Sequence, residues 1–332
     1  MPLLKPVIAI IDDYENRVCS LKAYARLRDI LPDAVIRVEC AQPLDDAAVA
    51  RLHDVQYLVL IRERSRIDDS LLQRLPALRA LVQTGTAGAP ETSHIDQEAC
   101  AQRGITVLEG RASDGHSAAE LAWALVLAAR RQLPSYIRSL QEGQWQKGNQ
   151  SAELACSLHG QIFGVLGYGR IGQLLGRYAQ AFGMHVMVWG RENSRVVAQQ
   201  QGVCFADSKE SLFAQSDVLA LQLRLNMQTR HSVTLSDLSL MKPDAVLVNT
   251  ARPALIEPGA LETALRAGRP GMAAIDVHEH EPVLERTGLL ALPNCIATPH
   301  IGYVERGSYE VLFDAAFSVL IGHLQACKAN TG

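Results

Sequence analysis

None of the seven cysteines, Cys19, Cys40, Cys100, Cys156, Cys204, Cys295 and Cys327, falls in a C-x-x-C pair, and the number is odd. Zinc-type spacing and a paired disulfide framework are therefore not expected. Small buried residues in a reducing cytoplasm are. Charge of one sign is also missing. Thirty-two Lys and Arg stand against 35 Asp and Glu, a formal net charge of −3. A nucleic-acid partner needs a concentrated basic face, so none is expected. Long apolar runs are absent too. The longest strongly apolar stretch, Leu121–Ala129, is far short of the roughly 18 residues of a membrane span, and no membrane partner is expected. The first run, Val7-Ile8-Ala9-Ile10-Ile11, meets Asp12-Asp13 at once. That reads as a buried strand ending at the carboxyl edge of a parallel sheet, not as a secretion signal.

What is present is 48% hydrophobic residues in 332, enough for roughly two domains with ample cores. Short β-branched runs alternate with amphipathic stretches. Strands are predicted at Val7–Ile11, Val35–Val38, Tyr57–Ile61, Ala80–Gln83 and Thr106–Leu108, with helices such as Val18–Ile30 and Leu44–Leu52 between them. A helix near His116–Gln132 is apolar almost all round, so burial between layers or subunits is expected. Glu142–Ser157 is polar and reads as an exposed loop. The rhythm then restarts with strands Ile162–Leu166, His185–Trp189, Val218–Leu221, Ala245–Asn249 and Met272–Asp276. A helix near Val304–Ala326 ends it. The pattern predicts an α/β chain with two parallel sheets, helices on both faces of each.

Gly167-Tyr168-Gly169-Arg170-Ile171-Gly172 lies between an apolar strand and the opening of an amphipathic helix. In that context G-x-G-x-x-G points to a dinucleotide pyrophosphate. Gly167 permits the tight turn, Gly169 lets the backbone approach the phosphates, and Gly172 lets helix pack on strand. The helix N-terminus beginning at Arg170 and Ile171 offers N–H groups and a positive dipole end to the anion. NAD-preferring proteins place an acid at the end of the next strand. Here Gly190 and Arg191 stand there, with Arg195 nearby. An arginine can pair with a 2′-phosphate, so NADP edges ahead of NAD; Arg191 as a solvated charge with NAD bound stays open.

Three later segments draw attention. Asn249-Thr250-Ala251-Arg252 puts an arginine just past a buried strand, at the edge where ligands bind in such sheets. Asp276-Val277-His278-Glu279-His280-Glu281-Pro282 is crowded with ionisable groups, and Thr298-Pro299-His300-Ile301-Gly302 follows. With Leu240-Met241-Lys242-Pro243, the stretch Ala260–Gly268, Leu292-Pro293-Asn294 and Ser117-Ala118-Ala119-Glu120, these motifs span nearly the whole chain. In that order they resemble the D-isomer-specific 2-hydroxyacid dehydrogenase family, in particular its phosphoglycerate-dehydrogenase-like members.

The resemblance implies that Arg252 holds the substrate carboxylate, His300 is the acid–base group and Glu281 its carboxylate partner. Those residue types suit the roles. A guanidinium fork takes a carboxylate bidentately. An imidazole gives and retakes a proton near neutral pH, and a neighbouring carboxylate favours its charged form and fixes its tautomer. Asp276 matches a position near the nicotinamide carboxamide, with a structural acid as the open alternative, and Thr250 is placed among the cofactor contacts. Arg62 and Gly85 are substrate-side candidates; Arg62-Glu63-Arg64 as solvated surface remains equally open. No metal is expected, because no third segment offers ligand spacing to the His278–Glu281 cluster.

The departures lie at Pro253-Ala254, where the family has glycine after its arginine, at Gln222, where it often has histidine, and in the long stretch Gln83–Asp96. Proline fixes φ and removes an N–H, so it is expected to stiffen the loop or delete a donor. The architecture implied is a Rossmann-type dinucleotide domain, residues 110–297, inserted into a flavodoxin-like substrate domain, residues 1–109 and 298–332. The implied activity is NAD(P)-dependent hydride transfer to or from a small 2-keto or 2-hydroxy acid, in a cytoplasmic homodimer whose contact includes the helix near His116. Two rivals stand beside it. One is a non-catalytic dinucleotide-sensing regulator, against which the full Arg252, Glu281 and His300 set argues. The other is a formate dehydrogenase, whose relatives pair the histidine with glutamine instead of an acid.

Overall fold

The computed structural model describes residues 5–40, 44–88, 93–112, 115–147 and 154–329. Two compact units emerge, residues 1–114 with 304–332, and residues 115–303. The division lies a few residues beyond the boundaries expected at 110 and 297. One cause is local: Asp276 accepts from the amides of Ile301 and Gly302, at 2.8 Å each, and holds the His300 turn to the second unit.

The first unit has strands β1 (Val7–Ile10), β2 (Val35–Val38), β3 (Tyr57–Leu60), β4 (Ala80–Thr84) and β5 (Thr106–Gly110). They pair in parallel in the order β2-β1-β3-β4-β5, the flavodoxin-like arrangement. The central β3 and β4 are buried at every position, which is why they read as continuous apolar runs. The helix expected over Val18–Ile30 is broken. A 3-10 turn, Val18–Ser20, precedes a helix at Lys22–Ile30. Carboxylates hold both starts: Asp13 takes the amides of Arg17 and Val18, and Glu310 takes those of Lys22 and Ala23.

The last helix, Arg306–Ala329, corrects one expectation, since by length and composition it is apolar enough to cross a membrane. Its residues Tyr309, Leu312, Phe313, Ala316, Phe317, Leu320 and Leu324 recur at helical spacing and are buried in the first unit, where the helix packs on β4, β5 and Lys22–Ile30.

The second unit contains β6 (Ile162–Leu166), β7 (His185–Trp189), β8 (Cys204–Phe205), β9 (Val218–Leu221), β10 (Val246–Asn249), β11 (Met272–Ile275) and β12 (Cys295–Ala297). Their order is β12-β11-β10-β9-β6-β7-β8, all parallel. This is the Rossmann pattern with one strand added, and its direction reverses between β6 and β9. The apolar helix is observed at His116–Arg130 and buries Ala119, Ala122, Trp123, Leu125, Val126 and Ala129. A further helix, Leu133–Gln141, was not anticipated, and none of its residues is buried. Residues 142–147 and 154–157 of the expected loop carry neither helix nor strand; residues 148–153 of it lie outside the described residues.

Candidate active site

Every expected site residue of the second unit leaves the carboxyl edge of its sheet. The loop from Gly167 to Gly172 follows β6 and opens the helix Arg170–Ala181. Gly167 has φ +99°, and a Cβ there would come within 2.8 Å of the Gln222 backbone. A Cβ on Gly172 would come within 2.5 Å of the Gly167 carbonyl oxygen. Both glycines are thus required by the protein itself. Gly169 differs: its φ is −82°, and no atom lies within 4 Å of where its Cβ would be. It is the N-cap residue and, being glycine, places no side chain over the helix start. That open face at a helix N-terminus fits a dinucleotide pyrophosphate. Arg170 is exposed beside it and Ile171 is half-buried.

At the end of β7, Gly190 lies against the loop, its Cβ direction 3.7 Å from the Gly167 Cα. Arg191 is exposed and is the N-cap residue of the helix Glu192–Gln200. Arg195 is engaged elsewhere, 3.7 Å from Glu192 and 4.4 Å above the Phe205 ring. After β9, the Gln222 amide donates to the Thr250 hydroxyl at 3.2 Å, so Thr250 is tied to the neighbouring strand end.

Three adjacent strands, β10, β11 and β12, deliver the remaining groups. Arg252 follows β10 in extended backbone. Its carbonyl accepts from the Asn249 amide at 3.0 Å, and its guanidinium donates to the Ala251 carbonyl at 2.7 Å. The unexpected Pro253 opens a 3-10 turn, Pro253–Leu255. At that position an N–H would have no helical partner and the fixed φ is already right, so the proline stiffens the arginine loop without costing a bond.

Asp276, at the end of β11, is 1% exposed. It accepts from the Thr298 hydroxyl at 2.6 Å and from the amides of Ile301 and Gly302. Burial raises its carboxyl above the usual range, and these bonds oppose the rise. Three of its four acceptor positions are taken by the protein itself. They clamp the turn that carries His300, whose φ of +54° costs a non-glycine residue roughly 1–3 kcal/mol.

Glu281 and His300 meet. The His300 Nδ1 lies 2.8 Å from the Glu281 Oε2, and their side chains are 18% and 26% exposed respectively. Burial pushes the Glu281 carboxyl up, but the bond and charge of His300, with the His278 amide, outweigh it and hold it below the usual range. The pair uses Nδ1, and among the described residues no hydrogen bond is seen at the second imidazole nitrogen, Nε2. Among the described residues no three His, Cys, Asp or Glu side chains group as metal ligands.

In the first unit, Arg62 and Gly85 come together at the carboxyl edge of β3 and β4. A Cβ on Gly85 would lie 2.1 Å from the Arg62 Nη1, so the guanidinium occupies that face. The Thr84 hydroxyl fixes Arg62 by accepting from its amide at 2.9 Å. Two main-chain amides of this stretch are bonded within the protein, Gly85 to the Gly110 carbonyl and Ala87 to the Glu109 carboxylate. Residues 89–92 of this long stretch lie outside the described residues.

Sequence reasoning missed Ser117, whose hydroxyl donates to the Gly302 carbonyl, and Thr298 and His278. Each acts through a hydrogen bond 20 or more residues away, which no local pattern records.

Comparison with known proteins gives consistent matches. Residues 123–302 match the model for the D-isomer-specific 2-hydroxyacid dehydrogenase NAD-binding domain. A glyoxylate reductase from Aeropyrum pernix is 35% identical over 261 residues, covering 77% of this chain and 76% of that one. A D-3-phosphoglycerate dehydrogenase from Methanocaldococcus jannaschii is 33% identical over 271 residues; the match covers 81% of this chain but 50% of that protein, so the chain spans about half its length. An oxidoreductase structure from Ralstonia solanacearum superimposes with a TM-score of 0.91 at 47% identity, covering 96% of this chain and 94% of that one.

Proposed function

The chain belongs to the D-isomer-specific 2-hydroxyacid dehydrogenase family, and from that premise we propose that it moves a hydride between a nicotinamide and C2 of a small D-2-hydroxy or 2-keto acid. The observation that carries this reading is the 2.8 Å pair of His300 and Glu281 beside Arg252 in strand order. Gly169, Thr250 and Asp276 would hold the dinucleotide, which would supply the hydride when bound. Arg252 would hold the carboxylate, and Arg62 and Gly85 remain the first unit's own candidates for a substrate contact. As hydride reaches C2, negative charge builds on the keto oxygen, and His300 delivers the Nε2 proton to it. Glu281 accepts from Nδ1–H, which aims the ring and fixes its tautomer. In the oxidative direction His300 takes the hydroxyl proton back.

We assign residues 115–303 to the dinucleotide and residues 1–114 with 304–332 to the substrate. NADP is favoured over NAD because position 190 carries no acid and the exposed Arg191 stands next to it. Arg191→Ala should weaken NADPH binding about tenfold or more and leave NADH nearly unchanged; equal losses in a fluorescence titration would remove the 2′-phosphate assignment. A homodimer is supported by the Leu133–Gln141 helix, which leaves Ile137 and Leu140 more than half exposed. The cysteines correct the expectation of burial, since Cys100 is buried but Cys19, Cys40, Cys156, Cys204 and Cys327 are exposed; none is in a disulfide, which suits a reducing cytoplasm.

The deciding experiment is nicotinamide oxidation with glyoxylate, hydroxypyruvate and phenylpyruvate, with D-3-phosphoglycerate in the oxidative direction, each with both cofactors. Turnover of any of them supports the dehydrogenase. Tight cofactor binding without turnover favours the dinucleotide-sensing regulator.

A further inference from the structure

The Thr298 carbonyl is an acceptor with two lone pairs, and both are used. One takes the His300 amide at 3.0 Å, closing a three-residue turn around Pro299. The other takes the His278 ring: its Nε2 lies 2.9 Å from the same oxygen. A carbonyl only accepts, so this contact places a proton on His278 Nε2. The main-chain N–H of the same residue donates to the Glu281 Oε1 at 2.9 Å. His278 therefore touches both partners' supports. Its backbone holds the Glu281 carboxylate, and its side chain holds the turn that carries His300.

We propose that His278 is a positioning residue, whose Nε2–H on the Thr298 carbonyl fixes the distance between the Glu281 carboxylate and the His300 ring. The assignment rests on the acid–base reading of that pair. The physical need is plain in the geometry. Asp276 clamps the turn through the Thr298 hydroxyl and the amides of Ile301 and Gly302, which leaves the Thr298 carbonyl side to be held by another group. The left-handed backbone at His300 is strained, and a strained residue keeps its place only when its surroundings over-determine it. His278 supplies the bond from the Glu281 side. Without it, the Thr298 carbonyl side of the turn loses its bond to the Glu281 segment, and the Asp276 clamp and the Glu281–His300 pair itself are left to hold the two together.

The test uses the full chain and two substitutions. His278→Phe keeps a planar ring and removes the donor. His278→Gln places an amide N–H at a similar reach. The first readout needs no turnover: the low-field proton resonance of His300 Nδ1–H, identified by its disappearance in Glu281→Ala. It should be lost or shifted upfield in the Phe variant and retained in the Gln variant. The second is steady-state kinetics with the best 2-keto acid. The Phe variant should lose kcat about tenfold, with KM and cofactor affinity within about twofold, and the Gln variant should recover most of it. A Phe variant with wild-type resonance and kcat overturns the proposal. So does equal loss in both variants with a lowered Tm, which would mean packing alone, or absence of the resonance from the wild type. If the resonance responds as expected but the wild type turns over no 2-keto acid, the positioning role stands and the dehydrogenase reading falls.

Discussion

At the residue scale, His300 and Asp12 carry two separate expectations, one for turnover and one for stability. His300→Ala should cost about 10²–10⁴-fold in turnover with dinucleotide affinity nearly intact, since it removes proton transfer and no cofactor contact; stopped-flow rates and a binding titration measure the two separately. Asp12 sits just past β1 with φ +67° and 1% exposure. Its Oδ1 accepts from Ser65, while Oδ2 is buried and has no hydrogen bond of ordinary geometry among the described residues. Burial pushes its carboxyl from 3.8 up to about 6, against Ser65, Arg64 and Tyr14. Between about pH 4 and 6 the folded chain keeps a proton the unfolded chain has lost, so this group's stabilising contribution falls as pH rises through that window. Asp12→Asn cannot ionise, and asparagine tolerates positive φ. The variant should gain about 1–3 kcal/mol over the wild type between pH 4.5 and 7.5, read from urea midpoints at both pH values. A difference independent of pH would show that Asp12 does not titrate with folding.

At the element scale, the glycine loop separates what the fold requires from what a ligand requires. Gly172→Ala drives a Cβ into the Gly167 carbonyl and should lower the Tm by several degrees, despite alanine's better helix propensity of about 1 kcal/mol. Gly169→Ala meets nothing in the protein and should leave the Tm unchanged while weakening dinucleotide binding about tenfold. Calorimetry with and without NADH checks both, and a Gly169→Ala protein that binds normally would place the pyrophosphate elsewhere. Strands β6, β9 and β10 were legible because both faces are covered and the apolar runs are continuous. β8 and β12, with two and three residues, are too short to show a pattern. The split at Ser20–Lys22 was hidden because Glu310, nearly 290 residues away, binds the helix start.

At the scale of the whole molecule, the Leu133–Gln141 helix is the largest element with no buried face. Tyr136, Ile137 and Leu140 share one side, and Trp145 just beyond is 75% exposed. An apolar helix face of this kind calls for a partner surface. Ile137→Asp with Leu140→Asp should halve the mass found by light scattering and leave the circular dichroism spectrum intact. A wild type that is already monomeric would remove the dimer.

By itself, the sequence determined the alternation of strands and helices, because buried parallel strands and amphipathic helices leave periodicities that survive in one dimension. It also determined the loop at Gly167–Gly172 and, through motif order, the set Arg252, Glu281 and His300. Only the tertiary structure decided which group each of these leans on. It gave three acceptor positions of Asp276 to the His300 turn, laid Arg62 on Gly85, made Pro253 the start of a 3-10 turn and put His278 on the Thr298 carbonyl. Those contacts join side chains to partners on separate strand ends, and a hydrogen bond across neighbouring strands leaves no spacing in the chain to read.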